Sequence, residues 1–212
     1  MQQIDFDLWS EETSKFGFGR LTGIDLPSEK SGHVPNRKWM NQRYKDKGGW
    51  SQGHLLNLSI GQGETVVTPI QIVNLINIIS NEGKYITPHL NINSNNVKTQ
   101  KIEYNNNVWK IIKKSMFDAV NKNGGTAYNA YINNKNLKIY GKTGTAQICS
   151  NCDLLPHAWF AGFMELNSGK KYSISIIIEN GAKVIIGVNE LGNICLNITF
   201  QFDVPIETAA ET

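Results

Sequence analysis

The stretch Leu137 to Gln147 reads Leu-Lys-Ile-Tyr-Gly-Lys-Thr-Gly-Thr-Ala-Gln. Leu137 and Ile139 alternate with Lys138 and Tyr140, the period-two signature of a strand with one buried face. The strand then runs into Gly141-Lys142-Thr143-Gly144-Thr145, too polar and too rich in glycine for the middle of a core sheet. A strand that starts buried and ends this way belongs at the edge of a sheet lining a cleft. Gly144 lacks a Cβ, so another backbone can approach it closely. Thr143 and Thr145, two residues apart, project from the same side and can both donate to a carboxylate. Lys142 brings the positive charge such a carboxylate requires. A polar strand end with a solvated lysine is the alternative, and the Lys-Thr-Gly tripeptide alone does not exclude it.

The flanks place this strand in an α+β domain, an antiparallel sheet packed with helices. Downstream, Trp159, Ala161 and Phe163 alternate, as do Tyr172, Ile174, Ile176 and Ile178, with Asn167-Ser168-Gly169 as a hairpin signal between them. Three successive strands of this kind form an antiparallel meander. Upstream, Phe6 to Phe16 reads as a short helix ending in a turn at Gly17 and Gly19. Leu21 to Trp50 reads as a long irregular segment, of the kind that lines a cleft. Thr68-Pro69 starts the clearest helix, a hydroxyl N-cap followed by proline at the first helical position. Its body, Ile70 to Ile79, is apolar except for Gln71, Asn74 and Asn77, so a buried helix without chemistry is expected, stopping at Gly83. A second helix is expected from about Asn107 to Asn121. Val108, Ile111, Ile112, Met116, Ala119 and Val120 make its apolar face, and Lys110, Lys113, Lys114 and Asp118 a solvated one.

The chain has 212 residues, enough for one domain or the larger part of one. A net charge of +3 is too small to argue for nucleic acid. No run of 18 apolar residues is present, and no basic-then-apolar leader follows Met1, which by itself reads as a soluble cytoplasmic protein. Cys149 and Cys152 have C-x-x-C spacing, but no second pair completes a zinc site, so neither metal nor cofactor is expected. Cys195 reads as a small buried hydrophobe.

Lys142-Thr143-Gly144 has the form of the third motif of the penicillin-recognising serine enzymes, whose other motifs are S-x-x-K and S-x-N. The longer run to Gln147 resembles class B penicillin-binding proteins. So do Ser59-Ile60-Gly61-Gln62-Gly63 and Val67-Thr68-Pro69-Ile70-Gln71 upstream. Lys15-Phe16-Gly17-Phe18-Gly19 and Thr22-Gly23-Ile24-Asp25-Leu26-Pro27 are similar to the elongation-specific transpeptidases of that class, penicillin-binding protein 2. Ser31-Gly32, Pro35-Asn36 and Trp39 continue that similarity. The resemblance implies a peptidoglycan D,D-transpeptidase acting on stem peptides that end in D-Ala-D-Ala, inhibited by β-lactams and partnered by a membrane glycosyltransferase. It implies that Lys142, Thr143, Gly144 and Thr145 bind the substrate carboxylate. Lys142 also gives electrostatic support, and the Thr145 backbone N–H is one oxyanion donor. It further implies a site outside the cytoplasmic membrane, held by an N-terminal membrane helix. That agrees with this sequence if the chain is the C-terminal part of a longer protein.

Three departures accompany the resemblance. Ser168-Gly169-Lys170-Lys171 fits S-x-x-K in letters but falls in a hairpin, and Ser94-Asn95-Asn96 fits S-x-N but falls in an asparagine-rich loop. Both motifs are therefore read as absent, which leaves half an active site and an inactive chain when alone. After Glu179-Asn180-Gly181 the family continues into a helix, whereas Ala182 to Phe202 is rich in β-branched residues and reads as strand. The expected organisation is residues 1–181 as the C-terminal part of a transpeptidase domain and 182–212 as a divergent tail. A non-enzymatic penicillin-sensing domain is the alternative function. A β-lactamase fits less well, because the Gly23 to Pro27 and Gly61 to Gly63 blocks match transpeptidases.

Overall fold

The computed structural model describes residues 4–91, 93, 97–148 and 154–181, together with the backbone of two strands at 184–188 and 194–198. Helix α1 spans Phe6–Lys15, where the Asp5 carboxylate accepts from the N–H groups of Asp7 and Leu8. Helix α2, Arg37–Arg43, is capped by Asn36, whose side chain accepts from Trp39 N–H. Helix α3 spans Gln52–Ser59 and α4 Pro69–Ser80. Strands β1, Lys84–Ile86, and β2, Thr99–Lys101, form a small antiparallel ribbon. Helix α5 spans Asn106–Asn121. Strands β3, Leu137–Ala146, β4, His157–Leu166, and β5, Lys171–Ile178, make the central antiparallel sheet in the order β3-β4-β5. Strands β6, Val184–Val188, and β7, Ile194–Ile198, pair antiparallel, as the strand-like reading of this stretch anticipates.

The sheet is covered on both faces, which is why its strands carry apolar residues at consecutive positions. Tyr140, Ala161 and Phe163 face α4 and α5 and meet Ile76, Ile78, Ile79, Trp109 and Met116. Tyr140 and Phe163 are directly opposed and stack at 4.3 Å. On the other face Ile139, Phe160, Ile174 and Ile176 pack with Val120, Ala127 and Ala130. A third cluster, Phe6, Met40, Leu55 and Leu58 with Trp9, Trp39, Tyr44 and Trp50, joins α1, α2 and α3.

Three expectations change. The segment Leu21 to Trp50 is not irregular throughout: α2 lies within it, and α3 follows at once. Helices of two turns show too few repeats of a 3.6-residue period to stand out. In α5, Ile111 and Val108 are exposed, and Trp109, at 2% exposure, anchors the buried face instead. The end of α4 also differs. Glu82 takes the left-handed position at φ 54°, and Gly83 N–H closes the helix on Ile78 O at 2.9 Å. Gly83 is required for another reason: a Cβ there would stand 2.3 Å from Ile102 O.

Two residues of the polar stripe of α4, Gln71 and Asn74, are as buried as its apolar core, and Asn77 is half-buried. Gln71 completes a capping box with Thr68. Its amide donates to the carbonyls of Ser31 at 2.7 Å, Arg20 at 2.9 Å and Gly17 at 3.3 Å. One side chain thus gathers three loop carbonyls that would otherwise be buried unpaired. The Thr22 to Pro27 block is held by carboxylates. Glu29 accepts from Thr22 N–H and Gly23 N–H, and Asp25 from Leu90 N–H at 2.6 Å and Asn91 N–H at 2.8 Å.

Candidate active site

Strand β3 has β4 as its only neighbour among the described strands, so its other side is an open edge. In an antiparallel strand the N–H and C=O of one residue leave on the same side, and successive residues alternate. Thr145 C=O accepts from the side-chain amide of Gln62 at 3.4 Å, and Thr143 C=O accepts from Lys142 Nζ. Neither donor is a backbone N–H of a neighbouring strand. Thr143 and Thr145 therefore turn their peptide groups to the open edge, while Lys142 and Gly144 turn theirs to β4. The Lys142 side chain starts from the face that carries Tyr140 and curls round the edge, so that its ammonium donates to Thr143 C=O. Lys142, Gly144 and Thr145 are exposed and Thr143 is half-buried. The four residues singled out from the sequence thus meet at one rim: a cation, two hydroxyls and two outward N–H groups. Thr143 and Thr145 share a side, as the alternation predicts.

Packing behind the strand holds this rim. Gly141 pairs with Gly162, and the Phe160 ring lies over the pair. A Cβ on Gly141 would stand 2.5 Å from that ring and 3.2 Å from Val120 Cγ2. Gly144 has a packing reason as well, since its Cβ would stand 3.3 Å from Trp159 Cβ. Asn121, at the end of α5, donates to Ile139 O and Phe117 O, both at 2.8 Å, and ties helix to strand. Burial, with the Glu165 carboxylate second, pushes the Tyr140 phenol up, so it stays protonated at neutral pH and supplies no base.

Other candidate groups are not brought to this rim. Ser168 lies in the turn after β4, where Gly169 N–H donates to Leu166 O, and Leu166 pairs with Leu137. Thr145 is eight residues along β3 from Leu137, about 26 Å at ~3.3 Å per residue, so Ser168 is at the far end of the sheet. Ser51 Oγ lies 3.2 Å from His54 Nδ1, but that nitrogen already accepts from Ser51 N–H at 3.0 Å: the pair is a helix cap. Ser94, Asn95, Asn96, Cys149 and Cys152 lie outside the described residues, as does the side chain of Cys195. Among the described residues no group of His, Cys, Asp and Glu could hold a metal ion, and no helix is long and apolar enough to cross a membrane. Reading the sequence misses Gln62, Asn121 and Gln71 as working residues. The glycines flanking Gln62 are the one local signal of its fixed position.

The chain is similar to known proteins over most of its length. The penicillin binding protein transpeptidase domain matches residues 2–190. Peptidoglycan D,D-transpeptidase MrdA of Haemophilus influenzae is 30% identical over 203 residues, covering 84% of this chain and 30% of that protein. MrdA of Escherichia coli (strain K12) is 32% identical over 200 residues, covering 84% and 31%. Among solved structures, the penicillin-binding protein PBP2 of Helicobacter pylori in complex with MreC aligns with a TM-score of 0.73 at 31% identity, covering 85% of this chain and 33% of that one. The chain therefore spans about a third of the length of the relatives it matches. The β3 motif, the mixed architecture and the match across most of the sequence agree, and the chain belongs to the penicillin-binding protein transpeptidase family.

Proposed function

We propose that this chain forms the substrate-strand side of a D,D-transpeptidase active site, as the C-terminal part of a longer cell-wall enzyme. The reaction is serine acyl transfer. A serine hydroxyl attacks the amide between the last two D-alanines of a stem peptide, an ester forms, and D-alanine leaves with the proton on its amine. The amine of a neighbouring stem then attacks the ester, and a cross-linking amide replaces it. The serine comes from the part of the protein that precedes this chain.

The open edge of β3 supports this reading most. Lys142, Thr143 and Thr145 gather a carboxylate, and the outward Thr145 N–H donates to the oxyanion as it develops. Gly144 keeps the rim low between the threonines. Strand addition along this edge suits an extended peptide, and a β-lactam enters as its mimic. The enzyme works outside the cytoplasmic membrane, held by a helix in the preceding part. A polymerising membrane glycosyltransferase and an MreC-type scaffold are its partners, the latter by analogy with the Helicobacter pylori complex. Residues 1–181 form the transpeptidase portion and 182–212 a divergent tail.

The test is acylation of the longer protein by a fluorescent penicillin. Lys142→Ala is expected to lower the second-order acylation rate about 10²-fold, within the range for loss of one electrostatic donor. An unchanged rate in stopped-flow would remove Lys142 from the site.

A further inference from the structure

We propose that Gln62 is a positioning residue, holding the end of β3 so that the Thr145 N–H keeps its outward direction. This rests on the acyl-transfer reading above.

Gln62 is mounted by the end of α3. Gly61 N–H donates to Leu58 O at 3.0 Å and Gln62 N–H to Asn57 O at 2.9 Å. This is the paired 5→2 and 6→1 pattern of a Schellman motif, with Gly61 in the left-handed position at φ 75°. Gln62 is the residue immediately beyond, fixed by its own backbone bond, and Gly63 at φ 76° turns the chain away. Leu58, buried in the α1–α2–α3 cluster, anchors the motif. The side chain leaves this mount and donates to Thr145 O at 3.4 Å, across 83 positions of sequence.

Thr145 needs such support. It is one residue from the end of β3, where Ala146 makes the last pair with His157, and its peptide groups face away from β4. The Thr145 N–H shares a planar peptide with Gly144 C=O, which turns to β4, but its C=O shares one with Ala146 N–H at the last pair of the ladder, so the peptide after Thr145 is the less secured. Restraining the carbonyl holds the peptide after Thr145 and so keeps the strand end, with the Thr145 N–H just before it, from peeling off β4. A carbonyl oxygen has two lone pairs, so Gln62 leaves one for an incoming peptide. The bond is long, neutral and near solvent, so its effect is modest beside that of the oxyanion donor itself.

The experiment uses the longer protein, with Gln62→Met, which keeps length and removes the donor, and Gln62→Ala. Fluorescent penicillin acylation is resolved into the dissociation constant of the first complex and the acylation rate constant, alongside thermal melting. The expected result is a five- to tenfold fall in the rate constant in both variants, with the dissociation constant changed less than twofold and the melting temperature retained. An unchanged rate constant in Gln62→Met overturns the proposal. Tighter first binding with an unchanged rate overturns it too, since Gln62 would then only occupy the carbonyl. If lowered acylation tracks a fall in melting temperature in both variants, Gln62 is merely structural and the proposal fails. Absence of acylation in the unsubstituted protein would instead sink the transpeptidase reading, and with it this inference.

Discussion

Gly141→Ala tests the packing behind the site most directly. The new methyl would stand 2.5 and 2.6 Å from two carbons of the Phe160 ring and 3.2 Å from Val120 Cγ2. An ordinary contact is 3.5–4.0 Å, so about 1 Å must be found. Phe160 is 4% exposed and wedged among Val120, Ala127 and Ala130, so the ring cannot yield freely. Overpacking of this kind costs about 1–3 kcal/mol. The alternative to moving the ring is moving β3, and Gly141 directly precedes Lys142. Acylation of the longer protein by penicillin should therefore fall along with stability. Phe160→Leu trims the obstructing ring, so the double variant should recover part of both losses, with a coupling of about 1–2 kcal/mol in a double-mutant cycle. Urea unfolding of each variant measures the first quantity and stopped-flow acylation the second. Additive losses, or a Gly141→Ala protein as stable as the parent, would refute the reasoning.

Both polar atoms of the Asn74 amide are buried without a hydrogen-bond partner among the described residues, so Asn74→Leu should raise stability by about 1–2 kcal/mol in urea unfolding. The backbone N–H groups of Asn91 and Leu90 hold the Asp25 carboxyl below its usual range. A lowered folded value means the tether is fully present above the ordinary aspartate range and is lost as pH falls through the lower folded value. The amide NMR shifts of Leu90 and Asn91 should move in that acidic window, and Asp25→Asn should abolish the transition. The chain from Met1 to Thr212 should give no covalent band with labelled penicillin on a denaturing gel, because the rim of β3 binds and orients but holds no nucleophile; a band mapped to Ser168 would reverse this.

Much of the architecture is legible from local pattern because its causes are local. Thr68-Pro69 caps α4 with groups adjacent in sequence. The strand at Leu137 to Tyr140 is legible too, but not its single buried face, because Tyr140 on the other side stacks on Phe163 beneath the helices. The misses share a physical origin. In α4, Gln71 reads only as an interruption of an apolar run in a helix without chemistry, yet it is 2% exposed and bonds three carbonyls, at Gly17, Arg20 and Ser31. Nothing near Gln71 in sequence announces them. In α5, Trp109 rather than Ile111 faces inward, because the helix meets the loop carrying Ile102 as well as the sheet.

The site itself illustrates the limit more sharply. The residue types of Lys142 to Thr145 are plain in the sequence, but which of them offer peptide groups to a ligand depends on the register of β3 on β4. A slip of one residue would turn Lys142 and Gly144 outward and bury the peptide groups of Thr143 and Thr145 against β4. The observed register pairs Gly141 with Gly162 beneath the Phe160 ring, and any other residue in that slot collides with it. The glycine pair thus decides the parity of the whole edge. In the site proposed above, Lys-Thr-Gly presents Thr143 and Thr145 to a ligand only because Gly141, one position before the motif, accepts an aromatic ring from the neighbouring strand. That dependence explains why a Lys-Thr-Gly tripeptide alone does not separate a solvated strand end from a binding rim.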